Sequence, residues 1–185
     1  MEGDRAVDSR AAWQVLETAE RLFSGAEVDS ALDRMAVSIR QAVGEICPVF
    51  MVVLNGALVF AGHLLPRLPF PLEVDYVHVT RYRGALTGGE LAWVAGPSAA
   101  VAGRTVVLLD DILDEGVTLA VLAKTLLDRG AASVLKAVLV TKDRPRDPGL
   151  AADFSGLDVP DRYVFGSGMD YNGFLRNVEG VYALP

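Results

Sequence analysis

The sequence has few of the residues that form disulfide frameworks or metal clusters. Among its 185 residues are one cysteine, Cys47, and two histidines. A single cysteine excludes an internal disulfide and a cysteine-rich zinc site. Cys47 stands before Pro48 at the start of an apolar run, so we expect a small buried side chain rather than a nucleophile. These features predict a soluble, cytoplasmic protein.

Long hydrophobic segments and an excess of positive charge are also absent. The longest apolar runs are broken at Asn55, Gly56 and Gly62, or at Asp110, so none is long enough to span a bilayer. Seventeen Lys and Arg against 24 Asp and Glu give a net charge of −7, with no basic stripe. We therefore expect neither a membrane nor a nucleic-acid partner. An acidic protein that binds an anionic substrate must gather local cations or recruit a metal ion.

Helix-like and strand-like patterns alternate along the chain, and the length fits a single domain, 1–185. This alternation predicts an α/β fold with a mainly parallel sheet flanked by helices. The N-terminal segment, 1–47, predicts two helices, with Leu22 and Phe23 in the first and the second beginning after Asp29. The predicted strands are 49–54, 72–80, 91–95, 106–109, 133–141, 162–165 and 181–184, and a short helix is predicted at 57–65.

The segment 106–119, VVLLDDILDEGVTL, is the most informative part of the sequence. Four apolar residues predict a buried strand that ends at Asp110 and Asp111, and Asp114 follows in a turn before Gly116. A strand that leads through an acidic turn into a helix places polar groups beyond the carboxyl end of the sheet, where open α/β folds bind ligands. The free N–H groups of the first helical turn favour a phosphate there. The segment predicts a pocket for a phosphorylated sugar.

Two other interpretations of this segment are weighed against that one. The acids could simply cap a helix at a surface turn, and paired acids after a hydrophobic strand also occur in phospho-receiver domains. Receivers have that strand near the N-terminus and a single aspartate at the end of a later strand. Here the segment lies past the middle of the chain, and Asp153 follows no apolar run, which favours the sugar-phosphate pocket.

The same segment resembles the phosphoribosyl-pyrophosphate (PRPP) binding motif of the type I phosphoribosyltransferases. It departs from that motif at Glu115, where the family has threonine. The resemblance implies that the paired acids hold the ribose hydroxyls and Mg²⁺, and that Asp114 is the general base for the purine N7 proton. The turn is expected to bind the 5′-phosphate. The residues assigned to PRPP here are Asp110, Asp111, Asp114, Glu115, Gly116, Val117 and Thr118.

The departure at Glu115 leads to an expectation of its own. An ionised carboxylate offers only acceptors and repels a phosphate. We therefore expect the Glu115 side chain to point outward, with only its backbone N–H facing the phosphate. Thr118 and the neighbouring amides are expected to replace the lost threonine donor.

Four other segments, in chain order from about residue 48, resemble the hypoxanthine-guanine branch of this family. Leu54-Asn55-Gly56 corresponds to a Leu-Lys-Gly turn whose backbone holds pyrophosphate, often through a cis peptide bond. Asn55 lacks the positive charge of that lysine. Arg81 and Tyr82 open a glycine-rich segment that corresponds to a flexible loop closing over the site, with Arg81 in place of a serine.

The remaining two segments carry the purine-binding residues. Lys142 belongs to a basic cluster with Arg144 and Arg146 after a predicted strand, and it corresponds to the lysine that donates to the purine 6-oxo group. The C-terminal segment supplies the other contacts that the resemblance implies. They are Tyr163 for stacking on the purine, Val164 for a backbone contact at its edge, Asp170 for the base and Mg²⁺, and Arg176 for pyrophosphate.

Taken as a whole, the resemblance implies a purine salvage enzyme with the type I phosphoribosyltransferase fold. It implies a core at about 48–145, a small C-terminal hood at about 146–185, Mg²⁺ bound through Asp110, Asp111 and Asp170, and a homodimer or homotetramer. The reaction would transfer a 5-phosphoribosyl group from PRPP to hypoxanthine or guanine. The alternatives are a xanthine-preferring enzyme and a non-catalytic nucleotide-binding regulator on the same fold.

Overall fold

The computed structural model describes residues 9–81 and 91–185. The chain forms a main six-stranded sheet with helices on both faces and a second, three-stranded sheet. Two short 3₁₀ turns, Leu65–Arg67 and Pro148–Leu150, follow α3 and β6. In chain order the elements are α1 (Ser9–Thr18), β1 (Glu20–Phe23), α2 (Gly25–Val43), β2 (Val49–Leu54), α3 (Ala57–Leu64), β3 (Glu73–Arg81), β4 (Leu91–Ala95), β5 (Thr105–Leu113), α4 (Val117–Asp128), β6 (Ser133–Asp143), β7 (Phe154–Pro160), β8 (Val164–Phe165) and β9 (Val181–Ala183).

The main sheet has the strand order β4-β3-β2-β5-β6-β7, and every neighbouring pair is parallel except β3 and β4. Helices α2 and α3 cover one face, where Phe50 and Phe60 pack in one core cluster, and α4 covers the other face with Leu122 and Leu126. Strands that are buried on both faces have continuous apolar sequences. Val106 to Leu109 form such a run, and all four residues are fully buried. The predicted α/β class with a mainly parallel sheet is confirmed.

The N-terminal segment differs from the two predicted helices. Leu22 and Phe23 lie in strand β1, which pairs with β9 in the small antiparallel sheet β1-β9-β8. Placing them in a helix was wrong, because the pairing partner lies about 160 residues away and leaves no local signal. Helix α2 also begins earlier than expected, at Gly25, where Ser24 and Glu27 form a reciprocal capping box.

Three further expectations need correction. Strand β5 does not end at Leu109 but continues to Leu113, because Asp110 and the residues after it pair with β6. Strand β7 was not predicted at all: it is the outer strand of the sheet, and its burial alternates instead of forming an apolar run. Cys47, expected to be buried, is exposed. Among the described residues, no helix is long and apolar enough to cross a membrane.

Candidate active site

The carboxyl ends of the parallel strands bring the candidate residues to one edge of the main sheet. The Asn55-Gly56 turn follows β2, the turn at Asp114 follows β5, and Lys142 lies one residue before the end of β6. The peptide bond between Leu54 and Asn55 is cis. Open α/β sheets bind ligands at this edge, so the residues gathered here form the candidate active site.

Asp111 is packed beneath the turn that follows β2. A Cβ atom added to Gly56 would lie 2.1 Å from Oδ2 of Asp111, so only glycine leaves room for this carboxyl group. The C-terminal segment packs closely against this turn as well. A Cβ added to Gly168 would lie 2.4 Å from the carbonyl oxygen of Gly56. The strand, the turn and the C-terminal segment are therefore in direct contact around Asp111.

Burial is the main influence on the pKa of Asp111. Loss of water raises the pKa of its carboxyl group above the usual value. A side-chain hydrogen bond with Asp110 and the positive charge of Arg176 oppose this rise but do not cancel it. The backbone N–H of Asp111 donates to Oδ1 of Asp110 at 3.0 Å. Asp110 and Asp111 therefore contact each other directly at the end of β5.

Arg176 connects this pair of acids to the C-terminal segment. Its Nη2 lies 2.6 Å from Oδ1 of Asp170, and its Nη1 lies 3.7 Å from Oδ2 of Asp111. Nη1 also donates to the carbonyl oxygen of Gly168 at 2.6 Å. Oδ2 of Asp170 accepts a hydrogen bond from the backbone of Gly173 at 2.7 Å. One guanidinium group thus lies between two acids from distant parts of the chain.

Asp114 has a very different environment from that of Asp111. Its Oδ1 lies 2.5 Å from Nη1 of Arg144, and its Oδ2 lies 3.2 Å from Nζ of Lys142. Partial burial raises the pKa of Asp114, but the hydrogen bonds and charges of these two cations outweigh it and lower the pKa overall. Asp114 is therefore ionised and paired at neutral pH.

Arg146 and Asp161 complete this cluster, and neither is among the predicted site residues. The Arg146 guanidinium donates to the carbonyl oxygens of Lys142 at 2.6 Å and Asp114 at 3.1 Å, and so ties β6 to the turn. Asp161 follows β7 and faces the same two cations as Asp114. The basic cluster after β6 was the only sequence signal for Arg146. Asp161 had none, because β7 itself was not predicted. A cleft of about 610 Å³ opens beside the cations.

The turn between β5 and α4 has the geometry of an anion site. Gly116 adopts a left-handed conformation with φ of 83°, and its Cβ position would lie 2.7 Å from the carbonyl oxygen of Leu150, so both backbone and space require glycine. Helix α4 begins directly after it, at Val117, which is 40 % exposed. Thr118 is half-buried and Glu115 is exposed. The charge of Glu115 adds to the raised pKa of Arg144, whose main cause is the hydrogen bond to Asp114.

The C-terminal segment presents an aromatic side chain beside these groups. Tyr163 is 46 % exposed, and its hydroxyl donates to the carbonyl oxygen of Asp170 at 2.9 Å. The ring of Tyr171 meets it edge-on, with centroids 6.1 Å apart. Burial, followed by the charge of Asp170, raises the pKa of Tyr163. Val164 is buried in β8. Tyr163 is therefore held in place by its hydroxyl while part of its ring is open to a ligand.

The acids at this edge fit a divalent cation that arrives with its ligand. Among residues 9–81 and 91–185, no group of three or more His, Cys, Asp or Glu side chains is arranged to hold a metal alone. Mg²⁺ is usually held by one or two carboxylates together with substrate oxygens and water. Asp111 and Asp170 lie on either side of Arg176, and Asp110 lies beside Asp111, so all three offer oxygen ligands of this kind. Their assignment to Mg²⁺ stays a prediction.

One predicted feature lies largely outside the described residues. The flexible loop was assigned to Arg81 and Tyr82. Arg81 is the last residue of β3, and Tyr82 falls in the segment 82–90, which the structure does not describe. The other predicted site residues all belong to the segments that meet at this edge.

Comparisons with known proteins identify the family of this chain. The phosphoribosyl transferase domain family matches residues 18–172, and the chain belongs to this family. Its sequence is 30% identical over 158 residues to the hypoxanthine-guanine phosphoribosyltransferase of Bacillus subtilis (strain 168), covering 85% of this chain and 88% of the relative. It is likewise 30% identical over 158 residues to the hypoxanthine-guanine-xanthine phosphoribosyltransferase of Tritrichomonas foetus, covering 85% and 86%. A solved hypoxanthine phosphoribosyl transferase of Trypanosoma cruzi matches with a TM-score of 0.82 at 25% identity, covering 90% of this chain and 91% of that one.

Proposed function

We propose that this protein transfers the 5-phosphoribosyl group of PRPP to hypoxanthine or guanine, giving IMP or GMP and pyrophosphate. The observation that carries the proposal is the contact between Lys142 and Asp114, with 3.2 Å between Nζ and Oδ2. Asp114 is the first residue of the turn 114–118, which we call the phosphate turn. The contact brings a donor for a purine oxo group and an acceptor for a purine proton to one point. The match to named hypoxanthine-guanine enzymes over most of the chain supports the same reaction.

Each group of residues has a part in this reaction. The backbone of 114–118, with the Thr118 hydroxyl, binds the 5′-phosphate at the start of α4. Asp110 and Asp111 accept hydrogen bonds from the ribose hydroxyls. The Asn55-Gly56 backbone and Arg176 bind the pyrophosphate. Bound Mg²⁺ would neutralise the charge of the leaving pyrophosphate, and Asp110, Asp111 and Asp170 are the residues that would hold it.

Asp114 and Lys142 act on the purine. Asp114 is ionised at neutral pH because of its two cations. It can therefore accept the proton from N7 of the purine as N9 attacks C1 of the ribose. Lys142 donates to the 6-oxo group, and a lysine has no acceptor for the amino group of adenine. Tyr163 stacks on the base, and the backbone of Val164 contacts its edge. This arrangement favours oxopurines over adenine.

An assay with four bases tests the proposal. Purified protein with PRPP and Mg²⁺ is supplied with hypoxanthine, guanine, xanthine or adenine, and the nucleotide product is measured. We expect IMP and GMP, less product from xanthine, and a discrimination against adenine of roughly 10⁴ because buried polar groups would be left unpaired. Efficient AMP formation would overturn the purine assignment.

The same assay separates the alternatives. A higher rate with xanthine than with hypoxanthine would identify a xanthine-preferring enzyme, an activity that the name of the Tritrichomonas foetus relative includes. Nucleotide binding without turnover of any base would identify a regulator. Isothermal titration with IMP and with PRPP provides that binding measurement.

We also propose that the chain works as a single domain in the cytoplasm and assembles as a homodimer or homotetramer. Val74 and Tyr76 on β3 are 53% and 50% exposed, and they lie on the sheet face that α3 packs against at β2 and β5. Exposed apolar side chains on neighbouring positions of one strand favour contact with another chain. Light scattering after gel filtration gives the mass, and Tyr76→Glu should lower it. A monomeric wild type would contradict the proposal.

A further inference from the structure

Two cations at the end of β6 lie between two carboxylates. One carboxylate, Asp114, follows β5, and the other, Asp161, follows β7. Asp114 places one oxygen 2.5 Å from Nη1 of Arg144 and the other 3.2 Å from Nζ of Lys142. Asp161 also directs one oxygen at each cation, with Oδ1 3.7 Å from Nζ of Lys142 and Oδ2 3.8 Å from Nε of Arg144. Both cations are thus shared by two acids, and Asp114 holds them more closely.

This sharing matters because the Lys142 side chain is largely buried. Only 13% of it is exposed, against 38% for Asp114 and 47% for Asp161. A buried ammonium group needs a negative partner, and removing one partner of such a pair is strongly unfavourable. If Asp114 takes a proton, Lys142 and Arg144 lose their nearer counter-charge at that moment. Asp161 is then a remaining partner, with its oxygens 3.7 Å from Lys142 and 3.8 Å from Arg144.

We propose that Asp161 is a positioning residue that takes over Lys142 and Arg144 when Asp114 accepts the purine proton. The inference rests on the proposed function. In this step the N7–H bond breaks, its electron pair stays on the ring, and the proton bonds to a carboxylate oxygen of Asp114. Lys142 then keeps its position against the 6-oxo group because Asp161 holds it.

The other charges around Asp114 cannot fill this role. Arg146 binds carbonyl oxygens of the turn and of β6 and adds positive charge to the cluster. Glu115 is exposed, lies on the same turn as Asp114, and its charge contributes to the raised pKa of Arg144. Asp161 differs from these groups because it is an acid from a separate strand end that faces both cations of Asp114.

Removing the charge of Asp161 should weaken Asp114 as a base. Without Asp161, both cations act on Asp114 alone, which lowers its pKa further and makes proton transfer to it less favourable. A general base such as Asp114 contributes roughly 10²–10⁴ to the rate. We expect Asp161→Asn to lose part of this contribution, so that kcat falls by about tenfold. The KM for PRPP should change by less than about twofold, because Asp161 is not in the phosphate turn.

The experiment compares Asp161→Asn with wild type and with Asp128→Asn, a control that removes the same charge from a largely exposed side chain at the C-terminal end of α4. Measurements are kcat, the KM of each substrate, and the pH profile of kcat for IMP formation. For Asp161→Asn we expect a lower kcat and an acidic limb moved to lower pH. Asp128→Asn should match wild type in both. Asp161→Glu should recover activity, and Asp161→Gln should not, so a second pair, matched in shape and different in charge, tests the inference if Asp161→Asn folds poorly.

The outcomes separate this inference from the function on which it rests. Inactive wild type with all four bases would overturn the proposed function. Active wild type, with Asp161→Asn unchanged in kcat and pH profile, would overturn only the role of Asp161. An equal loss in Asp161→Glu and Asp161→Gln, with an unshifted acidic limb, would assign Asp161 a purely structural role and contradict the inference.

Discussion

The end of strand β5 and the turn that follows it contain the same residue type in opposite electrostatic settings. Asp111, at the strand end, lies beneath Gly56, and burial raises its pKa. Asp114, three residues later in the turn, touches Lys142 and Arg144, and their charges lower its pKa. Arg176 lies 3.7 Å from Asp111, and this group is bound more closely to Asp170.

The difference shows how one short segment can provide two kinds of carboxylate. When neighbouring titratable groups are pushed in opposite directions, the directions identify their chemical roles. A buried carboxyl with a raised pKa is suited to binding hydroxyls and to a share in a metal ion that brings compensating charge. An ionised carboxylate beside a lysine is suited to taking a proton. The contrast is consistent with the proposed roles, in which Asp111 binds ribose and Asp114 accepts a proton.

The largest expected effect comes from removing the acceptor in the turn. Asp114→Asn keeps the shape of the side chain but cannot take a proton, so kcat should fall by about 10²–10⁴. The KM for PRPP should change little, because the backbone of the turn is unaltered. Steady-state kinetics with hypoxanthine measure both. Near-normal kcat at saturating substrates would make Asp114 only a structural partner of the two cations.

The strand end should be most sensitive to a methyl group. Gly56→Ala places a Cβ 2.1 Å from Oδ2 of Asp111 and forces this buried carboxyl to move. Overpacking of this kind costs about 1–3 kcal/mol, so we expect a lower melting temperature and a KM for PRPP raised by roughly tenfold. The matched control is Gly62→Ala in α3, where nothing lies within 4 Å of the added Cβ. This control should be slightly stabilised. Equal behaviour of the two variants would contradict close packing of Asp111.

The dependence of stability on pH should show the contrast directly. The lowered pKa of Asp114 gives stability that is present above the unfolded pKa and is lost as pH falls through the lower folded value. Asp114→Asn should therefore be less stable than wild type at pH 7 and approach it in acid. The raised pKa of Asp111 has the opposite sign, since ionisation disfavours the fold as pH rises.

Asp111→Asn should accordingly be at least as stable as wild type at pH 7, and the difference should vanish below the unfolded pKa of about 3.9. Thermal unfolding without Mg²⁺ or PRPP, at a series of pH values, measures both variants. Parallel curves for Asp111→Asn and Asp114→Asn would show that the two environments are alike. Such a result would remove the basis for assigning the two acids different roles.

The local part of this architecture was predictable, because its signals lie within a few residues. Continuous apolar runs predict the buried central strands, and the acids and glycine of 110–116 predict the phosphate turn. The prediction failed where long-range pairing decides the structure. β1 depends on β9, and β7 is an outer strand whose sequence, FSGLDVP, contains glycine and proline and buries only alternate side chains.

The site shows the same division between local and distant information. Asp111, Asp114 and Lys142 could be selected from their places at strand ends. The opposite shifts of the two acids could not, because they arise from Gly56, Arg144 and other groups that are distant in sequence. No pattern within β5 or its turn records which cations will approach it. Packing of the whole sheet edge determines this.

The smallest expected effect concerns the residue that departs from the family motif. Glu115 is exposed, and its charge acts on Arg144 outside the phosphate turn. A carboxylate cannot donate to a phosphate, whereas its backbone N–H at the start of α4 can. Glu115→Thr should therefore change the KM for PRPP by no more than about twofold, with any change toward tighter binding because a repelling charge is lost. Thr118→Val, which removes a hydroxyl donor, should raise that KM by about tenfold or more, in line with about 1.5–3 kcal/mol for a hydrogen bond to a charged group. Titration of both variants with PRPP measures the difference. Complete loss of activity in Glu115→Thr, or contact between its carboxylate and a phosphate oxygen in a nucleotide-bound crystal structure, would show that Glu115 has a direct role in the site.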